Sequence, residues 1–332
     1  KRPVSSPKPP TPDPMISLLS PVPEDTDLIR EALEDSAPET ANGMLLLTGR
    51  IHGQDVCLAH GGIGKAAAAA ATISLLQACQ PEALVLFGCG GAYPHSGLNI
   101  GDLALADTEI FGDEGVATRH GFDDLAAMGL PMRKGDEPFF NNWPTDTRLL
   151  QRAQAALLDR PGKSRRKLAK GAFVTVSTCT GTTARAIEIE TRTGAICENM
   201  EGAAVALACR QLSVPLLEIR GISNRVEDRD TSRWDLTTAM AAVQEAVISL
   251  LEKWPGRYSY RIFGIPFIEW IYHRYGWERI LGFIRLHGKG LVPIEIDQKA
   301  RETYGKSYSQ LWEMFRTELI RKKPTVQGLP IT

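Results

Sequence analysis

Residues 83–93 read Ala-Leu-Val-Leu-Phe-Gly-Cys-Gly-Gly-Ala-Tyr. The first five are apolar without interruption. A strand with one wet face alternates polar and apolar residues, so an unbroken run predicts a strand covered on both faces, as in a parallel sheet sandwiched by helices. The loop Gly88-Cys89-Gly90-Gly91 then falls at the carboxyl end of that strand, where ligands bind in open α/β sheets. Its bare amides either line a sugar or base, or simply make a crowded turn. A dinucleotide fingerprint would need a third glycine at position 93, where Tyr93 stands, so that chemistry is set aside.

The same alternation extends in both directions. Upstream, Ile16–Leu19 reads as a strand, followed by a proline-marked turn and a helix from Asp25 to Leu33. Strands at Met44–Leu47 and Val56–Ala59 precede a helix from Lys65 to Cys79. Downstream come strands at Asp102–Ala106, Phe173–Val176 and Leu216–Ile222. Helices are expected at Thr145–Leu158, Thr182–Thr193, Gly202–Leu212 and Leu236–Lys253. Strand-then-helix alternation predicts a three-layer α/β domain over residues 15–254, with a central mixed, mostly parallel twisted sheet flanked by helices.

The two ends differ from this middle. Residues 1–14 are rich in Pro, Ser and Lys, and read as a disordered lead. From Pro255 onward there are 13 Lys/Arg against 7 Asp/Glu in an aromatic-rich tail, although the whole 332-residue chain carries a net charge of only −1. The tail reads as short helices whose aromatics recur near helical spacing, which favours packing over nucleic-acid or membrane contact.

Composition excludes several classes. At 43% apolar and 23% charged, with no global charge excess, the chain offers no general case for a nucleic-acid partner. No apolar run is long enough to span a bilayer, and the first residues lack the apolar core of a secretory leader. Six cysteines (57, 79, 89, 179, 197 and 209) form no Cys-x-x-Cys pair, so reduced thiols and a cytoplasmic setting are expected. His60-Gly61-Gly62-Ile63-Gly64-Lys65 has Ala59 and Ala66 where a phosphate loop needs Gly and Ser/Thr, so it reads as a tight turn. His273 and His287 lack a metal-ligand neighbourhood, and neither metal nor cofactor is expected.

Two further stretches carry chemistry. Glu198-Asn199-Met200-Glu201-Gly202 precedes a small-residue helix, where a carboxylate either complements the helix dipole or grips ribose hydroxyls. Gly221-Ile222-Ser223-Asn224 ends an apolar strand, placing a polar side chain either in a turn or at the crevice. Glu24 follows the first strand in the same way.

Taken together, residues 90–116, 174–186, 198–208 and 221–230 resemble the nucleoside phosphorylase/nucleosidase superfamily, above all its branch of methylthioadenosine/adenosylhomocysteine nucleosidases and futalosine hydrolases. The likeness covers Met15 to Trp254. It implies an oligomeric, cofactor-free enzyme, a homodimer or larger, that cleaves a purine nucleoside at its N-glycosidic bond. By resemblance, Glu201 binds the ribose hydroxyls with Met200 against the sugar, and Glu24 activates water as general base. Gly90 and Gly91 then lie near sugar and base, and Thr178, Cys179 and Thr180 face the base. Adenine-specific relatives carry Asp where Asn224 stands. An amide cannot give up a proton but can donate a hydrogen bond to N7 or O6. That departure favours a 6-oxopurine, with futalosine of menaquinone biosynthesis the expected substrate. Inosine-type substrates, phosphorolysis and a non-catalytic nucleoside-binding module remain the alternatives. Between Ile51 and Thr118 there is no Arg and the only Lys is Lys65, which favours water over phosphate as the attacking group. Residues 258–319 resemble, weakly, the carboxyl-terminal part of gluzincin-type peptidases, but no His-Glu-x-x-His zinc motif is present. A fusion remnant, a packing module and an interaction module stay open for this tail.

Overall fold

The computed structural model describes residues 15–134, 138–158, 166–254, 265–276, 278–280, 296–307, 310–311 and 314–315. The lead 1–14 and much of the tail lie outside the described residues. Two compact units divide after Lys253.

In the first unit twelve described strands run β1 (Ile16–Ser20), β2 (Glu34–Ala41), β3 (Met44–Ile51), β4 (Gln54–His60), β5 (Ala83–Ala92), β6 (Leu103–Phe111), β7 (Gly115–Thr118), β8 (Gly121–Asp124), β9 (Asn142–Pro144), β10 (Leu168–Thr175), β11 (Cys197–Asn199) and β12 (Leu216–Arg225). The helices are α1 (Asp27–Ala32), α2 (Lys65–Cys79), α3 (Thr147–Leu158), α4 (Thr183–Thr193), α5 (Gly202–Leu212) and α6 (Leu236–Glu252). The large sheet has the order β11-β10-β6-β12-β5-β1-β4-β3-β2, with β9 added on β6. The β1/β4, β1/β5, β12/β5, β10/β6 and β10/β11 pairs are parallel. Strand β11 also pairs antiparallel with the end of β5, joining Cys197 to Ala92 and Glu198 to Gly91. Five strands (β5, β11, β10, β6 and β12) therefore close on themselves through their pairings.

The apolar run 83–87 is buried on both faces as its sequence requires. Leu84 and Leu86 join Leu19, Leu75, Leu76, Val205 and Leu216 in the core beneath α2 and α5. Helix α6 lies against β12 and β5, with α1 and α3 beside it, and forms the other layer. The family likeness thus finds its three layers. The expected helix from Asp25 is shorter than its pattern: Pro23–Thr26 is a 3-10 turn and α1 begins at Asp27. The exposed strand β2, Glu-Asp-Ser-Ala-Pro-Glu-Thr-Ala, was not expected, because a polar edge strand leaves no apolar period to read. No described helix is long and apolar enough to cross a membrane.

In the second unit, α7 (Ile265–Tyr275) and α8 (Ile296–Tyr304) contribute to a small core of Ile271, Ile280, Ala300, Tyr304, Leu311 and Phe315. Trp270 and Tyr275 pack against it. Tyr272, on the same helix, is exposed.

Close approach of β12 to α6 depends on Gly221, where a β-carbon would overlap the Ala239 carbonyl. We expect Gly221→Ala to lower stability by about 2–3 kcal/mol, the cost of overpacking a rigid contact. Gly194→Ala, at a left-handed helix end with open space, should cost about 1 kcal/mol. Urea unfolding of the full chain measures both. Equal losses would show that β12 and α6 can part freely.

Candidate active site

The carboxyl ends of β1, β5 and β12, the strand β11 and the start of α5 surround a cavity of about 350 Å³. Its lining includes Asp25, Gly90, Gly91, Thr180, Glu198, Met200, Glu201, Arg220, Ser223 and Asn224. Of the residues singled out from sequence, Gly90, Gly91, Cys179, Thr180, Met200, Glu201 and Asn224 are brought together here. Thr178 is exposed and off the lining. Glu24 is also exposed and off it. Its neighbour Asp25 takes the inward position, on the buried side of the 3-10 turn Pro23–Thr26.

Asp25 is buried, and its Oδ2 accepts a hydrogen bond from Ser20 Oγ at 3.3 Å. Its Oδ1 is buried without a partner among the described residues. Burial pushes the carboxyl up to about 6, against the pull of the Arg220 charge. An acid with that pKa changes charge near neutrality, which suits proton exchange.

Glu201 sits at the start of α5, beside the start of α2. Its Oε1 accepts from the Gly64 amide at 3.0 Å, and Arg220 Nη2 lies 3.3 Å from Oε2. The starts of two helices and one guanidinium thus meet at its carboxyl group. Arg220 is fully buried. Its Nε donates to Glu218 Oε1 at 2.8 Å and its Nη1 to the Cys89 carbonyl at 3.0 Å. Burial opposes the Arg220 charge, yet the Glu218 and Glu201 carboxylates outweigh it and hold the group protonated. Behind them, the Asn199 side chain accepts from the Glu201 and Gly202 amides at 3.0 and 2.8 Å and donates to Glu218 Oε1 at 3.1 Å. Thr175 Oγ1 donates to Asn199 Oδ1 at 2.8 Å and accepts from the Ala203 amide at 2.7 Å.

The lining also holds Ser223, Asn224, Glu198 and Arg229. Ser223 Oγ donates to Asn224 Oδ1 at 2.8 Å, and Asn224 Nδ2 donates to the Arg225 carbonyl at 3.0 Å. One N–H of the amide is left for a ligand. Glu198 is fully occupied: it accepts from Tyr93 Oη at 2.8 Å, from the Thr180 amide at 2.9 Å and from Thr180 Oγ1 at 2.6 Å. It therefore fastens the 177–181 loop to the wall. Cys179 Sγ lies 3.3 Å from Met200 Sδ, giving this side a soft apolar surface. Arg229 packs 4.8 Å over the Trp234 ring at the rim. Lys65 is turned away to Asp113 and Glu114.

Sequence reasoning passed over Asp25, Arg220, Glu198 and Glu218. The strand Leu-Leu-Glu-Ile-Arg-Gly-Ile carried a signal, since Glu218 and Arg220 two residues apart share one face of an otherwise apolar strand.

Residues 16–253 match the phosphorylase superfamily as a family. Futalosine hydrolase of Thermus thermophilus is 35% identical over 191 residues, which is 57% of this chain and 78% of that protein. Among solved structures, a futalosine hydrolase mutant of Helicobacter pylori superposes with a TM-score of 0.63 at 21% identity, covering 73% of this chain and all of that one. The 5′-methylthioadenosine/S-adenosylhomocysteine nucleosidase of Neisseria meningitidis, in complex with methylthio-immucillin-A, gives 0.62 at 22% identity, covering 72% of this chain and 98% of that one. The fold, the cavity at the strand ends and these likenesses agree: the chain belongs to the phosphorylase superfamily.

Proposed function

We propose that this chain hydrolyses a 6-oxopurine nucleoside, with futalosine the preferred substrate and hypoxanthine the leaving base. The observation that carries the reading is one cavity whose lining brings together Asp25, Glu201 and Arg220 with a neutral amide, Asn224. Its likeness to the Thermus futalosine hydrolase supports the choice of substrate.

The chemistry follows from those groups. Cleavage of an N-glycosidic bond builds positive charge on the sugar and negative charge on the departing purine. Glu201 accepts hydrogen bonds from the ribose hydroxyls, and its fixed anion stabilises the cationic sugar. Asp25, through its unpartnered Oδ1, takes the proton from the attacking water. This role moves from Glu24, whose side chain faces outward, to its neighbour. Asn224 donates its remaining N–H to the purine. The Ser223 hydroxyl holds the amide oxygen back, so the amide presents a donor. Phosphate would meet Asp25 and Glu201, while Arg220 has its three nitrogens already engaged. That charge pattern favours water.

Purine release from futalosine, inosine and methylthioadenosine, each with and without inorganic phosphate, tests the reading. Hypoxanthine from futalosine without phosphate is the expected outcome. Phosphate-dependent release would replace hydrolysis by phosphorolysis, and no release from any of the three would leave a binding module.

Asp25→Asn should lower kcat by about 10²- to 10⁴-fold, the usual range for a lost general base. In the unaltered enzyme kcat/KM should fall as pH drops through about 6, because protonated Asp25 cannot accept a proton. Retained activity in Asp25→Asn, with the acid limb intact, would return the role to another group.

Asn224→Asp should shift preference from 6-oxopurine toward adenine nucleosides, read as the ratio of their kcat/KM values. An unchanged ratio would remove Asn224 from base recognition.

A further inference from the structure

Glu109 and Glu218 form a carboxyl pair beneath the site, and the reaction proposed above uses neither directly. Glu109 lies on β6 and Glu218 on β12, and both are fully buried. Both oxygens of Glu109 and Oε2 of Glu218 have no hydrogen-bond partner among the described residues. The two Oε2 atoms converge on one spot: a β-carbon placed on Gly202 would overlap both. The glycine that opens α5 therefore makes room for two carboxyl groups facing each other.

Charge balance explains what such a pair must hold. Arg220 is the only cation that faces the pair among the described residues, and it already serves Glu218 and Glu201. Of the other groups that act on Glu109, the Asn199 amide from β11 is neutral, and the buried Cys197 thiol is pushed up by burial and keeps its proton. Ionised Glu109 would be a third carboxylate against the single Arg220 charge, and adding that buried charge costs several kcal/mol that a shared proton removes.

We propose that Glu109 is a positioning residue that holds a proton in the folded enzyme and donates it in a hydrogen bond to Glu218. Glu218 then carries the single negative charge that clamps Arg220 Nε, and the rest of the guanidinium is directed to Cys89 and Glu201. Burial first, and the adjacent Glu218 charge second, push the Glu109 carboxyl up, in keeping with this assignment. Asp25 also feels the Arg220 charge, so a shift of the guanidinium would be felt at both ends of the water site.

The kinetic arm of the test rests on the roles proposed for Glu201 and Asp25, whereas the proton count does not. Folding takes up a proton at Glu109 at any pH between the unfolded glutamate value and the raised folded one. Above the unfolded value the native state binds the extra proton, so stability falls with rising pH across that window. Glu109→Gln keeps the shape and a permanent donor. At pH 7 it should release one proton fewer on unfolding than the unaltered chain, seen by calorimetry in buffers of different ionisation enthalpy or by the pH slope of Tm. Glu109→Gln should keep kcat/KM within about 3-fold, since its amide can still donate to Glu218. Glu109→Ala should lower kcat/KM by at least tenfold and change kcat more than KM. If Glu109→Gln does not fold, Glu218→Gln provides the count, because the remaining carboxyl then ionises against Arg220 and one proton is again lost from the balance. An unchanged proton count in the glutamine variant overturns the proposal. So does a Glu109→Gln enzyme as impaired as Glu109→Ala. Should no nucleoside be cleaved by the unaltered chain, the function falls while the proton count still decides the state of Glu109.

Discussion

The guanidinium of Arg220 ties the site together. It is fully buried, and each of its nitrogens holds a different acceptor. Nε binds Glu218, Nη1 the carbonyl of Cys89 and Nη2 the carboxylate of Glu201. Those partners come from β12 itself, from β5 and from the start of α5. A planar, permanently charged fork can satisfy three acceptors in fixed directions, which an ammonium on a flexible stem cannot. Removing the charge would leave two buried carboxylates in apolar surroundings and detach β5 from the α5 terminus. The stretch Gly88–Gly91, expected as a loop, is the last part of β5 itself, and its Cys89 carbonyl is held from behind by this guanidinium.

The topology makes that meeting point. A parallel pairing of β12 with β5 sends both carboxyl ends the same way, and the antiparallel contact of β11 with β5 folds the sheet back across them. Glu198, Asn199 and Glu201 are thereby delivered opposite Ser223 and Asn224, although about twenty residues separate them in sequence. Asn199 then secures the turn into α5 by accepting two of its first free amides, a role usually filled by an N-cap side chain. The Glu201 carboxylate is thus left free of capping duty and is available to a ligand.

Much of the domain was legible because its core strands and helices obey strong periods. The run 83–87, the alanine-rich helix from Lys65 and the closing helix from Leu236 each carry a pattern that burial alone would select. The polar hairpin strand β2 carries none because it is exposed along its length, and the three-residue strands β9 and β11 carry none because they are paired by strands distant in sequence. The site was legible in its loops and less so in its charges. Asn224 and Glu201 stand beside glycines that mark ligand loops. Asp25 and Glu24 are adjacent in a short 3-10 turn, and which of the two faces inward is a precision that helix patterning does not reach. Arg220 and Glu109 were hidden for another reason: a charged residue inside an apolar strand reads as an interruption until its partners on other strands are known.

Buried ionic groups of this kind contribute little net stability, because desolvation consumes most of their attraction, and a well-packed apolar cluster of the same volume often serves a fold as well. Glu109, Glu218, Arg220 and Glu201 occupy the junction of β6, β12 and α5, where aliphatic side chains would pack without three unpartnered oxygens. Their presence is therefore better explained by what they deliver than by what they hold up. In the proposed reaction the ribose must become cationic beside an anion that does not relax as the charge forms, since a carboxylate free to turn toward water would lose most of its effect. Glu201 is denied that freedom by the Gly64 amide on one oxygen and Arg220 on the other. Arg220 is denied it in turn by Glu218. Each step inward exchanges a mobile, solvated charge for a fixed one, and the last carboxyl of the series, Glu109, can end it only by being neutral.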